Sequence, residues 1–104
     1  MGSKRDVFDT HTFSANGDKV YDVSDYEAVF YVLNVTSVDG TTSVTVNRAV
    51  DSSGTYVTAT THTLSSTTPD GAVIDVRGVN SLKFTTANIS GSETISLEAS
   101  GWSG

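Results

Sequence analysis

The chain contains no cysteine, one proline, one methionine and one tryptophan in 104 residues. Without cysteine there is no disulfide framework and no thiolate metal site. Charge is sparse too: charged residues make up 17% of the chain, below the usual quarter. Six Lys and Arg, scattered without a basic stripe, stand against twelve Asp and Glu, for a formal net charge of −6. That balance argues against recognition of a phosphate backbone, and so against a DNA or RNA partner. It suits solubility, a basic protein partner or a divalent cation. No apolar run has the length of a membrane-spanning helix, and the N-terminus carries no hydrophobic signal region. Met1-Gly2-Ser3-Lys4-Arg5-Asp6 begins like a myristoylation signal, but Asp6 stands where Ser or Thr is needed. No segment sustains a 3.6-residue period with caps, so helices are not expected.

What remains is a chain built for pleated sheet. Ser and Thr make up about 30% of the residues, and Val and Thr dominate the regular stretches, where β-branching favours strands. The spacing predicts strands over 19–23, 28–35, 42–50, 55–64, 72–77, 81–86 and 93–99, separated by turn signals such as Asn16-Gly17-Asp18, Asp39-Gly40, Asp51-Ser52-Ser53-Gly54 and Thr68-Pro69-Asp70-Gly71. Alternation turns Val44, Val46 and Val50 inward on one strand, with Arg48 an exception on that face. It turns Ala72, Ile74 and Val76, then Leu82 and Phe84, then Ile95, Leu97 and Ala99 inward on others. In 55–64, Val57 and Ala59 share one face, and Tyr56, Thr58 and Thr60 the other. This is an all-β pattern: a β-sandwich of jelly-roll type with seven or eight short antiparallel strands. Residues 1–18 read as an N-terminal arm or edge strand, and 19–104 as a single sandwich domain.

One stretch departs from simple alternation. Ala28-Val29-Phe30-Tyr31-Val32-Leu33-Asn34-Val35 is apolar on both faces. A two-layer sandwich buries one face of each strand, so the second needs a cover: the N-terminal arm or another subunit. Val29, Tyr31, Leu33 and Val35 are therefore expected to mediate self-association. Val7, Phe8 and Phe13 in the arm are expected to dock on a partner.

Candidate chemistry is thin. His11 and His62 are the only histidines, and no G-x-S-x-G nucleophile elbow is present. An acid–His–hydroxyl site requires converging geometry, and residue types alone do not supply it. Asp22, Asp25 and Glu27 form a local acidic cluster, but its spacing matches neither an EF-hand loop nor a Gly-rich calcium repeat. Tyr21, Tyr26, Tyr31, Tyr56 and Trp102 offer a sugar-stacking platform, although core and interface packing accounts for them more simply. Asn34-Val35-Thr36 and Asn88-Ile89-Ser90 fit the glycosylation acceptor pattern, the first inside the apolar strand. Asp75 and Arg77 share a strand face and are placed to pair with each other or across to a neighbour. No catalytic, cofactor or metal residue is assigned, and the chain is read as non-enzymatic.

From Tyr26 to Trp102 the chain resembles small all-β virion proteins of tailed bacteriophages. The resemblance lies in Asp25–Val35, in Thr41-Thr42-Ser43-Val44-Thr45-Val46, in Asp51-Ser52-Ser53-Gly54-Thr55-Tyr56-Val57, and in Val73-Ile74-Asp75-Val76-Arg77-Gly78 with the following Leu82-Lys83-Phe84. It implies a capsid decoration or cement protein at the capsid surface. Such a protein binds the major capsid protein, commonly as a homotrimer on a local symmetry axis, and uses no cofactor, nucleic acid or membrane. A minor tail or baseplate component is the nearest alternative, and a carbohydrate-binding or adhesin module the next.

Overall fold

A computed structural model describes residues 4–37, 40–51 and 54–104. Met1 to Ser3, Asp39 of the Asp39-Gly40 turn and Ser52-Ser53 of the next turn lie outside the described residues. The strands are β1 (Lys4–Val7), β2 (His11–Phe13), β3 (Asp18–Asp22), β4 (Ala28–Val35), β5 (Thr42–Ala49), β6 (Tyr56–Leu64), β7 (Asp70–Asp75), β8 (Ser81–Ala87) and β9 (Ile95–Ser103). Among the described residues no helix is long and apolar enough to cross a membrane.

The strands form two antiparallel sheets. Sheet one runs β1-β9-β4-β7, with β2 also pairing β9; sheet two runs β3-β8-β5-β6. Taken together as one edge, β1 and β2 pair β9, while β3 pairs β8, β4 pairs β7 and β5 pairs β6. The first half of the chain therefore pairs with the second half in reverse order, like a long hairpin rolled into two layers. That is the jelly-roll arrangement.

The inward residues of β7, β8 and β9 are as alternation predicts. Ile74, Leu82, Phe84, Ile95, Leu97 and Ala99 are buried, and Val76 follows just beyond β7. Val44 and Val46 of β5 are buried with them. One expectation fails nearby: Val50 lies past the end of β5 in a bend and is exposed. On β6 Val57 is exposed too. The β5–β6 register slips at Val46/Asn47, where Thr60 pairs Val46 but Thr58 pairs Asn47, leaving Ala59 as the extra residue. Such a bulge shifts the pleat by one residue. Beyond it, His62 and Leu64 are the buried positions on β6.

Aromatic rings tie the layers together. Tyr31 of β4 meets Phe84 of β8 edge to face at 4.9 Å, and Phe84 in turn meets Tyr21 of β3 at 6.0 Å. Such contacts add to the burial term, which is about 1.5–3 kcal/mol for each large apolar side chain.

The arm is part of the sandwich. β1 and β2 extend sheet one along β9, and Phe8 between them stacks on Tyr21 at 5.1 Å and meets Tyr26 edge-on at 5.3 Å. Tyr21 Oη donates to the Asp9 carbonyl at 2.7 Å, Lys19 Nζ to Asp9 Oδ2 at 3.0 Å, and Tyr26 Oη to Asp6 Oδ2. The chain makes room for this packing at Gly101, where a Cβ would lie 2.6 Å from the Tyr26 ring and 2.8 Å from that of Phe8.

Candidate functional site

The face of β4 that turns inward is Val29, Tyr31, Leu33 and Val35, all buried in the core. The self-association expected of these four is thereby corrected: their side chains fill the space between the sheets and have no surface left for another subunit. Sequence alone offered two apolar faces. Pairing with β7 and β9 selects the one carrying the larger combined volume. The arm is corrected likewise. Phe13 is buried in the core and Phe8 packs against it, so neither is free to dock, and only Val7 is presented to solvent.

The exposed apolar face is the other side of sheet one. Register fixes its layout in two rungs crossing β1, β9, β4 and β7. The first is Arg5–Trp102–Ala28–Asp75 and the second Val7–Ser100–Phe30–Val73. Val7 is 77% exposed, Val73 65%, Phe30 51% and Trp102 45%. Neither the arm nor any other described segment covers them. Large and small residues alternate: Trp102 stands beside Ala28, and Phe30 beside Ser100, so the rings border a shallow depression floored by the two small residues. Charges lie at the edges and at Glu98 of β9, which pairs Val32 in the next row and accepts from Asn34. Arg5 is at the β1 end. At the β7 end Asp75 accepts from Arg77 Nη2 at 2.7 Å and Nε at 3.1 Å, with Glu27 nearby. The Arg77 hydrogen bonds hold the Asp75 carboxyl down at about 2. Val73 was legible as an outward residue from the alternation of its strand. Phe30 was missed because the face of β4 was assigned the wrong way round, and Arg5 because its strand pairs only with the distant β9.

The second feature is a polar chain between the layers, buried at Tyr31 and His62 and reaching the surface at Asp70. His62 of β6 sits in sheet two, whereas Tyr31 of β4 and Asp70 of β7 sit in sheet one. His62 Nδ1 lies 2.8 Å from Asp70 Oδ2, and His62 Nε2 lies 2.5 Å from Tyr31 Oη. A proton on Nδ1 satisfies both contacts, with His62 donating to the carboxylate and accepting the phenol O–H. The His62 hydrogen bond, followed by the Gly71 backbone N–H, lowers the Asp70 pKa. Burial, and then the Asp70 charge, push the Tyr31 phenol well up. The order of groups is that of an acid–His–hydroxyl relay, but the hydroxyl belongs to a fully buried tyrosine against which no substrate can sit. Its role is to join the sheets.

The remaining candidates stay apart. His11 meets Phe13 edge-on at 4.6 Å, on β2 in sheet one. Asp22 Oδ1 accepts from the Ser24 backbone N–H at 2.9 Å and from Ser24 Oγ at 2.7 Å, which closes a turn. Glu27 Oε1 accepts from the Gly104 N–H at 3.1 Å. Among the described residues no three His, Asp or Glu side chains converge to hold a metal ion. Glu93 is buried and accepts from Thr42 Oγ1. Tyr21 and Tyr31 lie in the core and the Tyr26 hydroxyl is bound to Asp6, so the five expected aromatics form no common platform; Trp102 adjoins Phe30 instead. Asn34 Nδ2 donates to Glu98 Oε2 at 3.1 Å on the sheet surface.

These features define a jelly-roll β-sandwich that buries Tyr31 and His62 with Asp70 at the surface end of their chain, and whose open surface is an apolar sheet face. Neither a protein-family model nor a curated protein sequence matches the chain. Among solved structures, the SPBc2 prophage-derived protein YomS superposes with a TM-score of 0.74 at 8% identity, over 99% of this chain and 96% of that one. At that identity the likeness is one of fold.

Proposed function

We propose that the chain is a non-enzymatic structural protein of a phage virion, a head decoration or cement protein that adds contacts across the major capsid protein lattice. The observation that carries this reading is the open face of sheet one. Phe30, Val73, Trp102 and Val7 form a contiguous apolar patch on a rigid two-layer body, and an exposed patch of this kind marks a contact surface. The sealing of His62 inside the core supports a non-catalytic role. The fold shared with a prophage-derived protein supports the phage setting. On this reading copies meet through sheet one, and the hydroxyl-rich outer face of sheet two is left for the shell. Many weak contacts then sum over many copies.

The test is to locate the protein in intact particles with a specific label and to count copies. Many copies on the head support the decoration role; a few on the tail assign it to the tail or baseplate; none in the particle refutes both. A Phe30→Asp variant is expected to lose incorporation. One observation favours a second reading: Trp102 and Phe30 lie side by side at the rim of a depression, as in a sugar-stacking site. Glycan-array binding that is lost in Trp102→Ala would establish that reading in place of the first.

A further inference from the structure

We infer that the occupant of the open face of sheet one is a second copy of the chain, laid face to face about a twofold axis that runs parallel to the strands between β9 and β4. This rests on reading that face as a protein contact, and not on the virion setting.

The argument comes from the two rungs. Such an axis exchanges the ends of every rung, placing β9 of one copy over β4 of the other and β1 over β7. Trp102 then faces Ala28, and Phe30 faces Ser100, so each ring enters the space above a small residue. Val7 faces Val73, and Arg5 faces Asp75, each twice over. Ring meets hollow, valine meets valine and cation meets anion, as an isologous interface requires. The β1 rim carries Arg5, while the β7 rim carries Asp75 and Glu27 with Arg77, so the charges oppose with complementary sign. A twofold axis across the strands also seats the rings over small residues. It sets Arg5 on Val7 and Asp75 on Val73, so the edge charges find no partner across the contact. The axis along the strands pairs Arg5 with Asp75 and leaves one carboxylate, Glu98 of β9, at the end of the contact opposite Val32 of the other copy. Aligned packing of sheet on sheet is already the geometry inside the sandwich.

The contact is small. Four strands at about 4.8 Å spacing give a face roughly 19 Å wide. Two complementary rungs and the flanking row of Glu98 and Val32, which is not complementary, cover on the order of 400 Å² per copy, half of a standard interface. The dimer is thus weak and concentration-dependent, suited to a setting where copies are crowded together. The rungs match under a twofold exchange, so the inference is of a dimer where the resemblance implies a trimer.

Sedimentation velocity of the full chain across a wide concentration range tests this. A monomer–dimer equilibrium is expected, weakened roughly tenfold or more by Phe30→Asp and unchanged by Val20→Asp, an exposed apolar position on the opposite sheet. Arg5→Glu should weaken the dimer, and Arg5→Glu with Asp75→Lys should restore it to within about threefold. All four sites are exposed, and circular dichroism of each variant checks that the fold is kept. A monomer at every concentration, a trimer, a dimer indifferent to Phe30→Asp, or a double reversal without rescue would each overturn the inference. If the wild type stays monomeric while Phe30→Asp still abolishes incorporation into particles, the second-copy inference falls and the contact-surface reading stands. If Phe30→Asp changes neither, both fall.

Discussion

Replacing Tyr31 with Phe removes one oxygen from the centre of the sandwich and leaves every ring in place. The edge-to-face contact with Phe84 at 4.9 Å is retained. What is lost is the 2.5 Å hydrogen bond to His62 Nε2, and both partners are buried. The imidazole nitrogen is then stranded without water, and an unsatisfied buried polar group costs about 1–3 kcal/mol. For a domain of about this length each kcal/mol shifts Tm by roughly 4–8 °C, so Tyr31→Phe is expected to melt about 4–24 °C lower. His62→Leu breaks the same bond from the other side and frees Asp70, which can turn to water because it lies at the surface. The double variant has no stranded nitrogen, so its loss should fall short of the sum of the singles by about 1 kcal/mol or more. Urea unfolding of the four proteins measures this directly. A Tyr31→Phe variant as stable as wild type, or strict additivity in the double, would refute the claim that this chain of groups clamps the two sheets.

Gly101→Ala places a methyl group against the rings of Tyr26 and Phe8. It is expected to destabilise by about 1–3 kcal/mol and to raise hydrogen exchange selectively in β1, as read by mass spectrometry. Phe13→Ala, in the core, should cost about 3–5 kcal/mol, whereas Val7→Ala should be nearly neutral in urea unfolding. Asp6, Asp9, Asp22, Asp70 and Asp75 all titrate below their usual 3.8 when folded. The unfolded chain takes up those protons first, so their contribution is complete above about pH 4 and is lost as pH falls toward 2. Each share is small because these carboxylates are exposed. Tyr26 is raised to about 12 by its bond to Asp6, and Tyr21 to about 12 by burial. The folded form holds those protons longer, so stability is intact below pH 10 and declines as pH rises through 12; tyrosinate absorbance should follow unfolding in that window.

The strands of the second half were legible because each carries one apolar face and one polar face. Ile74 and Val76 against Asp75 and Arg77 leave no doubt about which side is core. β4 defeats that logic, since Phe30 and Val32 are as apolar as Tyr31 and Leu33. Only pairing with β9, through Tyr31↔Ala99 and Leu33↔Leu97, decides the matter, and pairing is a long-range fact. The slip at Ala59 is invisible for the same reason: nothing local in Thr58-Ala59-Thr60 announces an extra residue. The relay of Tyr31, His62 and Asp70 draws on three strands and two sheets, so its members carry no common motif. The arm read as mixed because its apolar residues serve different neighbours: Phe8 meets Tyr21 and Tyr26, Phe13 lies in the core, and Val7 faces solvent.

The rolled-hairpin order has a kinetic consequence. β9 is synthesised after the other described strands, yet it lies between the arm and β4, pairing Lys4 with Ser103 and Ala28 with Trp102. Until it emerges, β1 and β2 have no strand to bind, and β4 has β7 as its single neighbour. Sheet one therefore closes only after β9 is available, and the pairings that close it are among the most distant in sequence. Such topologies fold in milliseconds to seconds, slowly for their size. During that interval the unpaired edge of β4, with Phe30 and Val32 beside it, is open to other chains. Yield on expression should consequently respond to synthesis temperature and chaperone supply more than the stability of the finished sandwich suggests.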